Sequence, residues 1–256
     1  MAVASGSEIT TPDYGLDFPF QVRRWFGRAG WTLAIALAVF FINRSEYPGP
    51  ALSLLLVLGA LAALFCAVGG VMVWSSRTAK LPLRDRLLDQ LELTGEEKVL
   101  DVGCGRGLML IGAAKRLKSS AKGTGGGKAT GVDSWSPEVL SDNSIEGAKE
   151  NAKVEGVTDR VRLEKFDQDR LVYPDNNYDV VMSALAIHNF PDEEDRDRVV
   201  REMYRVVKPG GKLLILDIEH TGRYAEILRE SGAKDVALSP VSFLWCHPTR
   251  SVTARK

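Results

Sequence analysis

Two long apolar runs stand near the start of the chain. The second covers residues 51–74 without a single charged side chain, and a helix needs about 20 apolar residues to cross the hydrocarbon core of a bilayer. The first covers residues 30–42 and reaches a similar length if residues 25–29 extend it. The pattern predicts a transmembrane helical hairpin over residues 25–76, preceded by a polar leader over residues 1–24.

Basic side chains lie on the outer sides of this hairpin. By the positive-inside rule, both ends of the hairpin and the region that follows it face the cytoplasm. A cleaved signal peptide is the alternative for the first run, and a buried soluble helix is the alternative for the second. The basic residues before the first run, in the turn and after the second run are Arg23, Arg24, Arg28, Arg44, Arg77, Lys80, Arg84 and Arg86.

From Leu81 onward, short apolar strands alternate with amphipathic helices, which predicts a parallel sheet covered by helices on both faces. The α/β domain is expected to occupy residues 77–256. An entry helix carries leucines at helical spacing near Leu83. The predicted strands cover residues 98–102, 129–132, 161–166, 178–183, 212–217, 235–238 and 251–254, and the predicted helices cover residues 108–117, 136–155, 193–207 and 224–232.

The composition argues against nucleic-acid binding, a disulfide framework and a metal site. The 33 basic and 33 acidic side chains cancel, and nucleic-acid-binding proteins usually carry a strongly basic face. We therefore expect no nucleic-acid partner. The three cysteines, Cys66, Cys104 and Cys246, have no paired spacing, so neither a disulfide framework nor a metal site is expected.

The string VLDVGCGRG, residues 99–107, combines a strand, a glycine-rich turn and the start of a helix. Such a turn lets the backbone approach a ligand closely. Its third glycine comes one residue earlier than in the dinucleotide-binding fingerprint. The string resembles motif I of the class I, Rossmann-like S-adenosylmethionine-dependent methyltransferases. The resemblance implies S-adenosylmethionine as cofactor, held by Asp101, Gly103, Cys104, Gly105 and Gly107.

The resemblance continues along the chain in the family's order. It implies a doubly wound, mostly parallel seven-stranded sheet whose last strand, in SVTARK, is antiparallel. The segment VVKPGGKLLILD matches a helix-turn-strand element that has an architectural role. The acidic residue that ends the second strand is implied to bind the cofactor's ribose, although it would also serve as a helix cap. The further cofactor-binding residues are Asp133, Ser134, Asp167, Gln168 and Ser183, with Asp169 as the rival of Asp167 for the adenine amino group.

His188 follows the fourth strand, at the sheet edge where open α/β sheets bind ligands. It is a candidate general base, and a purely structural histidine is the alternative. Asp217 and Glu219 are further candidate bases. His220 and His247 are also options, with a surface position as their alternative. The chain has no D/N-P-P-Y sequence after the fourth strand, which argues against methylation of adenine or glutamine amino groups.

Only a short connection separates the second apolar run from the cofactor strand, so the active site is expected near the bilayer surface. These features predict a membrane-anchored methyltransferase whose acceptor is a lipophilic small molecule or lipid, such as a quinone, an isoprenoid, a sterol-like molecule or a phospholipid headgroup. A soluble or protein substrate remains an alternative. So does a non-catalytic scaffold that binds S-adenosylmethionine.

Overall fold

The computed structural model describes residues 11–119, 126–136, 140–166, 170–245 and 247–256. The helices in these ranges are α1 (Pro19–Asn43), α2 (Pro48–Trp74), α3 (Lys80–Asp89), α4 (Leu108–Arg116), α5 (Ile145–Val154), α6 (Glu193–Val206) and α7 (Thr221–Glu230). The strands are β1 (Lys98–Val102), β2 (Lys128–Asp133), β3 (Val161–Lys165), β4 (Tyr178–Ala184), β5 (Val207–Asp217), β6 (Lys234–Leu238) and β7 (Arg250–Arg255).

The seven strands form one sheet in the order β3-β2-β1-β4-β5-β7-β6. Strands β1 to β5 pair in parallel, and β7 runs antiparallel to both β5 and β6. The predicted doubly wound fold with an antiparallel last strand is confirmed. Strand order reverses between β1 and β4, and ligands of open α/β sheets bind at such a switch point.

The two faces of the sheet bury separate apolar clusters, because neighbouring residues of a strand point to opposite sides. Val99 of β1 packs with Leu110 of α4 on one face, together with leucines of α3. Leu100 packs with Val200 and Met203 of α6 on the other face, together with residues of α7. The central strands are therefore covered on both sides, as is typical of parallel sheets.

Helices α1 and α2 pack against each other as an antiparallel pair. Small side chains lie at their contact: a Cβ atom on Gly69 would come within 3.0 Å of the Phe26 ring. Both helices are long and apolar enough to cross a membrane, and only 11% of each most apolar window is buried against the rest of the chain. At about 1.5 Å per residue, the 25 residues of α1 measure about 37 Å.

The starts of α1, α5 and β5 differ most from the sequence prediction. Helix α1 begins at Pro19, inside the predicted leader, because proline favours the first helical turn. Helix α5 begins only after Ser144, whose Oγ accepts a hydrogen bond from Gly147 N and caps the helix. Strand β5 begins at Val207, before the glycine pair that was expected to precede it.

Helix α2 continues through a short π-helix, Ser75–Ala79, directly into α3. Short π-helical turns within α-helices are frequently found at functional sites. Here it places Ser75, Ser76 and Lys80 in buried positions against the α/β domain. The apolar hairpin and the sheet are therefore joined by a continuous stretch of helix.

Candidate functional site

A cavity of about 560 Å³ lies at the carboxyl ends of β1, β2 and β4. This volume is within the range of pockets that bind compact organic ligands. Its walls come from the glycine turn after β1, the acidic end of β2 and the loop after β4, and also from the start of α1. The topological switch point between β1 and β4 is thus the floor of the cavity.

The glycine turn adopts backbone angles that other residues rarely take. Gly103 has φ +76° and Gly107 has φ +89°, in the left-handed region that glycine enters without steric cost. A Cβ atom on Gly103 would lie 2.1 Å from Cβ of Ala186. The loop after β4 therefore lies directly on the turn, and only glycine fits beneath it.

Asp133, at the end of β2, is held against this turn. Its Oδ2 accepts a hydrogen bond from Gly105 N at 2.8 Å, and its Oδ1 accepts one from Trp135 N at 2.6 Å. Burial raises the pKa of the carboxyl group, and these two backbone donors partly offset the effect. Each carboxylate oxygen can accept a second hydrogen bond, so the group is suited to ligand hydroxyls in the cavity.

Asp101, near the end of β1, contributes a buried carboxyl group to the wall of the cavity. Its side chain is 1% exposed, and neither carboxyl oxygen has a hydrogen-bond partner. Burial raises its pKa to about 8; the nearby backbone N–H of Leu110 opposes this rise, and the charge of Asp133 adds to it. A buried carboxyl group without a partner costs free energy. A cationic ligand group in the cavity would supply the missing partner.

His188, in the loop after β4, is oriented by a buried carboxylate. Its Nδ1 lies 2.5 Å from Oδ1 of Asp217, and its backbone N donates to Oδ2 of the same residue. Asp217 is fully buried at the end of β5. A carboxylate accepts hydrogen bonds, so we assign the proton of the neutral ring to Nδ1. The lone pair of Nε2 is then available on a residue that lines the cavity.

The start of the chain contributes a wall that the sequence analysis did not predict. Residues 17–21 line the cavity, together with Tyr14 and, from the β6–β7 loop, Trp245. Aromatic residues at positions 14, 18 and 20 of an otherwise polar leader were the available signal, since aromatic side chains carry large apolar areas for packing.

A buried polar cluster fixes this segment to the rest of the protein. Asp17 Oδ2 accepts hydrogen bonds from Ser76 Oγ, Lys80 Nζ and Trp245 Nε1. Lys80 Nζ also donates to the carbonyl oxygens of Tyr14 and Gly15. The end of α2, the start of α1 and the β6–β7 loop therefore meet at one point beside the cavity.

The structure brings most of the predicted site residues together. Gly107 is instead the N-cap of α4, and Ser183 lies within β4, where its Oγ donates to Val102 O of β1 at 2.7 Å. The predicted adenine-binding residues Asp167 and Gln168, and their rival Asp169, lie outside the described residues. The predicted residues that line the cavity are Asp101, Gly103, Cys104, Gly105, Asp133, Ser134 and His188.

A surface position was the alternative for His247, and the structure instead places it beside the cavity wall. Its ring packs edge-on against Phe18, with centroids 4.3 Å apart. Burial lowers its pKa, and its Nε2 is buried without a hydrogen-bond partner. The surface alternative is wrong because contacts from the start of the chain cover a residue near its other end.

Comparison with known proteins agrees with this geometry. Residues 99–211 match the family model described as a methyltransferase domain. Methyltransferase GfsG of Streptomyces halstedii is 32% identical over 145 residues, which cover 57% of this chain and 46% of the relative. Sterol 4-C-methyltransferase strm-1 of Caenorhabditis elegans is 30% identical over 142 residues, which cover 56% and 37%. Demethylmenaquinone methyltransferase of Lactiplantibacillus plantarum is 30% identical over 134 residues, which cover 52% and 50%.

This chain therefore spans half or less of the length of these three relatives. Among solved structures, the cyclase SpnF superposes with a TM-score of 0.56 at 20% identity, covering 71% of this chain and 83% of that one. At this identity the likeness shows the Rossmann-like methyltransferase fold alone. A fold does not by itself fix a reaction.

Proposed function

We propose that the whole chain is a membrane-anchored, S-adenosylmethionine-dependent methyltransferase of a lipophilic small molecule or lipid, since residues 99–211 match a family model described as a methyltransferase domain. One observation carries the proposal. The start of an apolar helix, from Phe18 to Gln21, lines the same cavity as the glycine turn and Asp133. An acceptor in this cavity lies between the cofactor site and the end of the hairpin that adjoins the α/β domain.

The residues of the cavity fit S-adenosylmethionine. The unpartnered carboxyl group of Asp101 suits a cationic group of the cofactor, and Asp133 suits the ribose hydroxyls. The turn at Gly103 and Gly105 brings the backbone close to the ligand, beside the start of α4. The assignment of each of these residues, and of Asp167 and Gln168 to the adenine ring, remains a proposal.

Bound S-adenosylmethionine supplies a methyl group that is already activated by its sulfonium centre. The protein therefore mainly has to hold the acceptor at the attack distance and angle. His188 Nε2 takes the proton that a hydroxyl or acidic carbon acceptor loses on methylation. Asp217 keeps the ring in the required tautomer and stabilises the imidazolium that forms. General-base catalysis of this kind contributes about 10²- to 10⁴-fold to rate.

Membrane anchoring is supported by the two outward-facing apolar helices. A soluble core helix buries most of its surface, whereas α1 and α2 expose large apolar side chains along their length. Exposed apolar area of this extent is characteristic of a membrane-facing surface. The basic residues at Arg23, Arg24 and Arg77 favour an orientation in which the catalytic domain faces the cytoplasm.

The acceptor class is supported by two further features. The cavity wall contributed by the start of the chain is mainly apolar and aromatic, at Phe18, Phe20 and Trp245. Two relatives are named for a sterol and for a demethylmenaquinone, both lipophilic ring compounds. We infer that the acceptor presents an apolar ring or chain to this wall.

Incubation of the full chain in native membranes with methyl-labelled S-adenosylmethionine tests the proposal. We expect label in the organic-solvent extract, and none there with Asp133→Ala, which lacks the ribose contact. Asp235→Ala, at an exposed position on β6 far from the cavity, is the matched control and should retain activity. Label that enters protein alone would instead support the rival of a protein substrate.

Label transfer and calorimetric titration together separate the enzyme from a non-catalytic scaffold. The scaffold interpretation predicts S-adenosylmethionine binding without label transfer to any fraction. No measurable S-adenosylmethionine binding by the purified full chain would overturn both interpretations.

A further inference from the structure

The loop between β6 and β7 carries a cluster of exposed apolar side chains. Outside the hairpin, the described residues with large exposed apolar side chains are Val172, Val241, Phe243 and Leu244, and three of these four lie in this loop. Phe243 is the most exposed of the three, at 77%. Apolar side chains concentrated at one place on an otherwise polar domain mark an interaction surface.

Described residues on both sides of the loop tip are held by hydrogen bonds. Ser242 and Thr249 exchange backbone hydrogen bonds of 2.8 Å in both directions. Trp245 is buried and donates its Nε1 hydrogen to Asp17. Phe243 and Leu244 are therefore exposed directly beside an aromatic residue that is anchored to the domain.

The tip lies beside the end of the apolar hairpin. Ser75 Oγ, at the first position after α2, donates a hydrogen bond to Leu244 O at 3.2 Å. The preceding residue, Trp74, is exposed, and tryptophan is enriched where a transmembrane helix meets the headgroup region. The apolar surface of the loop is thus continuous with the surface of α2 at the level where that helix would leave the bilayer.

From this juxtaposition we propose that the tip of the β6–β7 loop, through Val241, Phe243 and Leu244, inserts into the interfacial layer of the membrane that holds the hairpin. The inference rests on the membrane anchoring proposed above. Amphipathic or apolar elements at this depth bury their side chains at the boundary between headgroups and acyl chains.

Insertion of the tip would also orient the cavity. Trp245 follows the inserted residues directly and lines the cavity, and Phe20 of α1 also lines the cavity while remaining exposed. With the tip inserted, the cavity wall formed by Trp245 and the start of α1 would lie next to the membrane surface.

Site-directed fluorescence tests the inserted position. An environment-sensitive NBD label is attached to Phe243→Cys in the full chain, in a background of Cys66→Ala and Cys246→Ala, reconstituted in phosphatidylcholine and phosphatidylglycerol nanodiscs. Val172→Cys is the matched control. It is 87% exposed, and it follows Leu171, whose carbonyl oxygen accepts from Arg205 at the end of α6, away from the cavity.

We expect the label at position 243 to be blue-shifted and quenched several-fold more strongly than the label at position 172 by lipids with a nitroxide near the headgroup. Equal and weak quenching at both positions would overturn the inference. A blue shift at position 243 without lipid quenching would also overturn it, because a protein surface, such as a second copy of the chain, would then cover the loop.

Two measurements keep this test separate from the proposed function. Alkaline carbonate extraction reports whether the hairpin is integrated in the membrane, and release of the chain would overturn anchoring itself. Retention of the chain with an unquenched label at position 243 would overturn only the insertion of the loop. Phe243→Ser should leave S-adenosylmethionine affinity unchanged and reduce the label transferred to membrane lipid several-fold.

Discussion

The proposed role of Asp101 in binding the cofactor predicts that S-adenosylmethionine affinity depends on pH. Its carboxyl group is buried without a partner, and burial raises its pKa to about 8. A cationic ligand group beside the carboxylate stabilises the ionised form and lowers the pKa. We therefore expect S-adenosylmethionine binding to release a proton near neutral pH, and Asp101→Asn to abolish that release.

The size of the effect follows from the pKa. Near pH 6.5, a group with a pKa of about 8 is only about 3% ionised. If the cofactor binds the ionised form, affinity near pH 6.5 is about 30-fold below its limit at high pH, and it rises about tenfold per pH unit up to the pKa. Asp101→Asn should bind weakly, with little dependence on pH.

Calorimetry in two buffers of different ionisation enthalpy measures the released protons directly. We expect about one proton for the natural chain near pH 6.5 and about none for Asp101→Asn. Asp235→Asn makes the same chemical change at an exposed position and should behave as the natural chain. Tight binding by the natural chain with no proton release and no pH dependence would refute the reasoning.

The same ionisation predicts a trend in stability. The folded pKa of Asp101 is raised above the unfolded value of about 3.9. The folded protein without ligand therefore holds a proton that the unfolded chain has released, and its stability falls as pH rises between about 4 and 8. Asp101→Asn should raise the melting temperature near pH 8 more than near pH 5. An equal shift at both pH values would contradict this assignment.

Three further predictions address the turn, the base and the polar cluster. Gly103→Ala should abolish S-adenosylmethionine binding and lower the melting temperature, because the added Cβ would lie 2.1 Å from Cβ of Ala186 in the overlying loop. Normal S-adenosylmethionine binding in calorimetry would contradict this prediction, because it would show that the turn relaxes. Asp217→Asn should lower kcat about 10²-fold or more and shift the pH profile while the cofactor Kd stays unchanged, and an unaltered profile would exclude His188 as the base. Lys80→Met should lower the free energy of unfolding by about 3–5 kcal/mol because it removes the cation that pairs with the largely buried carboxylate of Asp17. Denaturant unfolding measures this, and the double variant with Asp17→Asn should recover part of the loss.

Much of the fold could be predicted because its signals are local. Strand β1 and the start of α4 were predicted at the residues where the structure has them, since a buried strand and an amphipathic helix each leave their own period in the sequence. The boundary of α5 was missed because the cap at Ser144 lies inside a run of residues compatible with a longer helix. Boundaries depend on single hydrogen bonds that no periodicity records.

In the candidate site, too, residues with local sequence signals were predicted, whereas contacts between distant segments were not. Asp101, Gly103 and Asp133 were predicted for the site because strand ends and glycine turns place ligand-binding groups at known positions, and all three line the cavity. Asp217 was considered only as an alternative base, whereas the structure makes it the residue that orients His188. That partnership joins β5 to the loop after β4 and depends on the pairing of the two strands.

The sequence by itself determined the class of the protein: two apolar runs, an alternating α/β chain and a glycine turn suited to S-adenosylmethionine. Each of these is a pattern within one segment, and burial and backbone geometry impose such patterns locally. Only the tertiary structure shows that the start of α1, the π-helix after α2 and the β6–β7 loop meet beside the cavity. Their contacts, such as Trp245 with Asp17, join residues from opposite ends of the chain, and no local pattern encodes a contact across that distance.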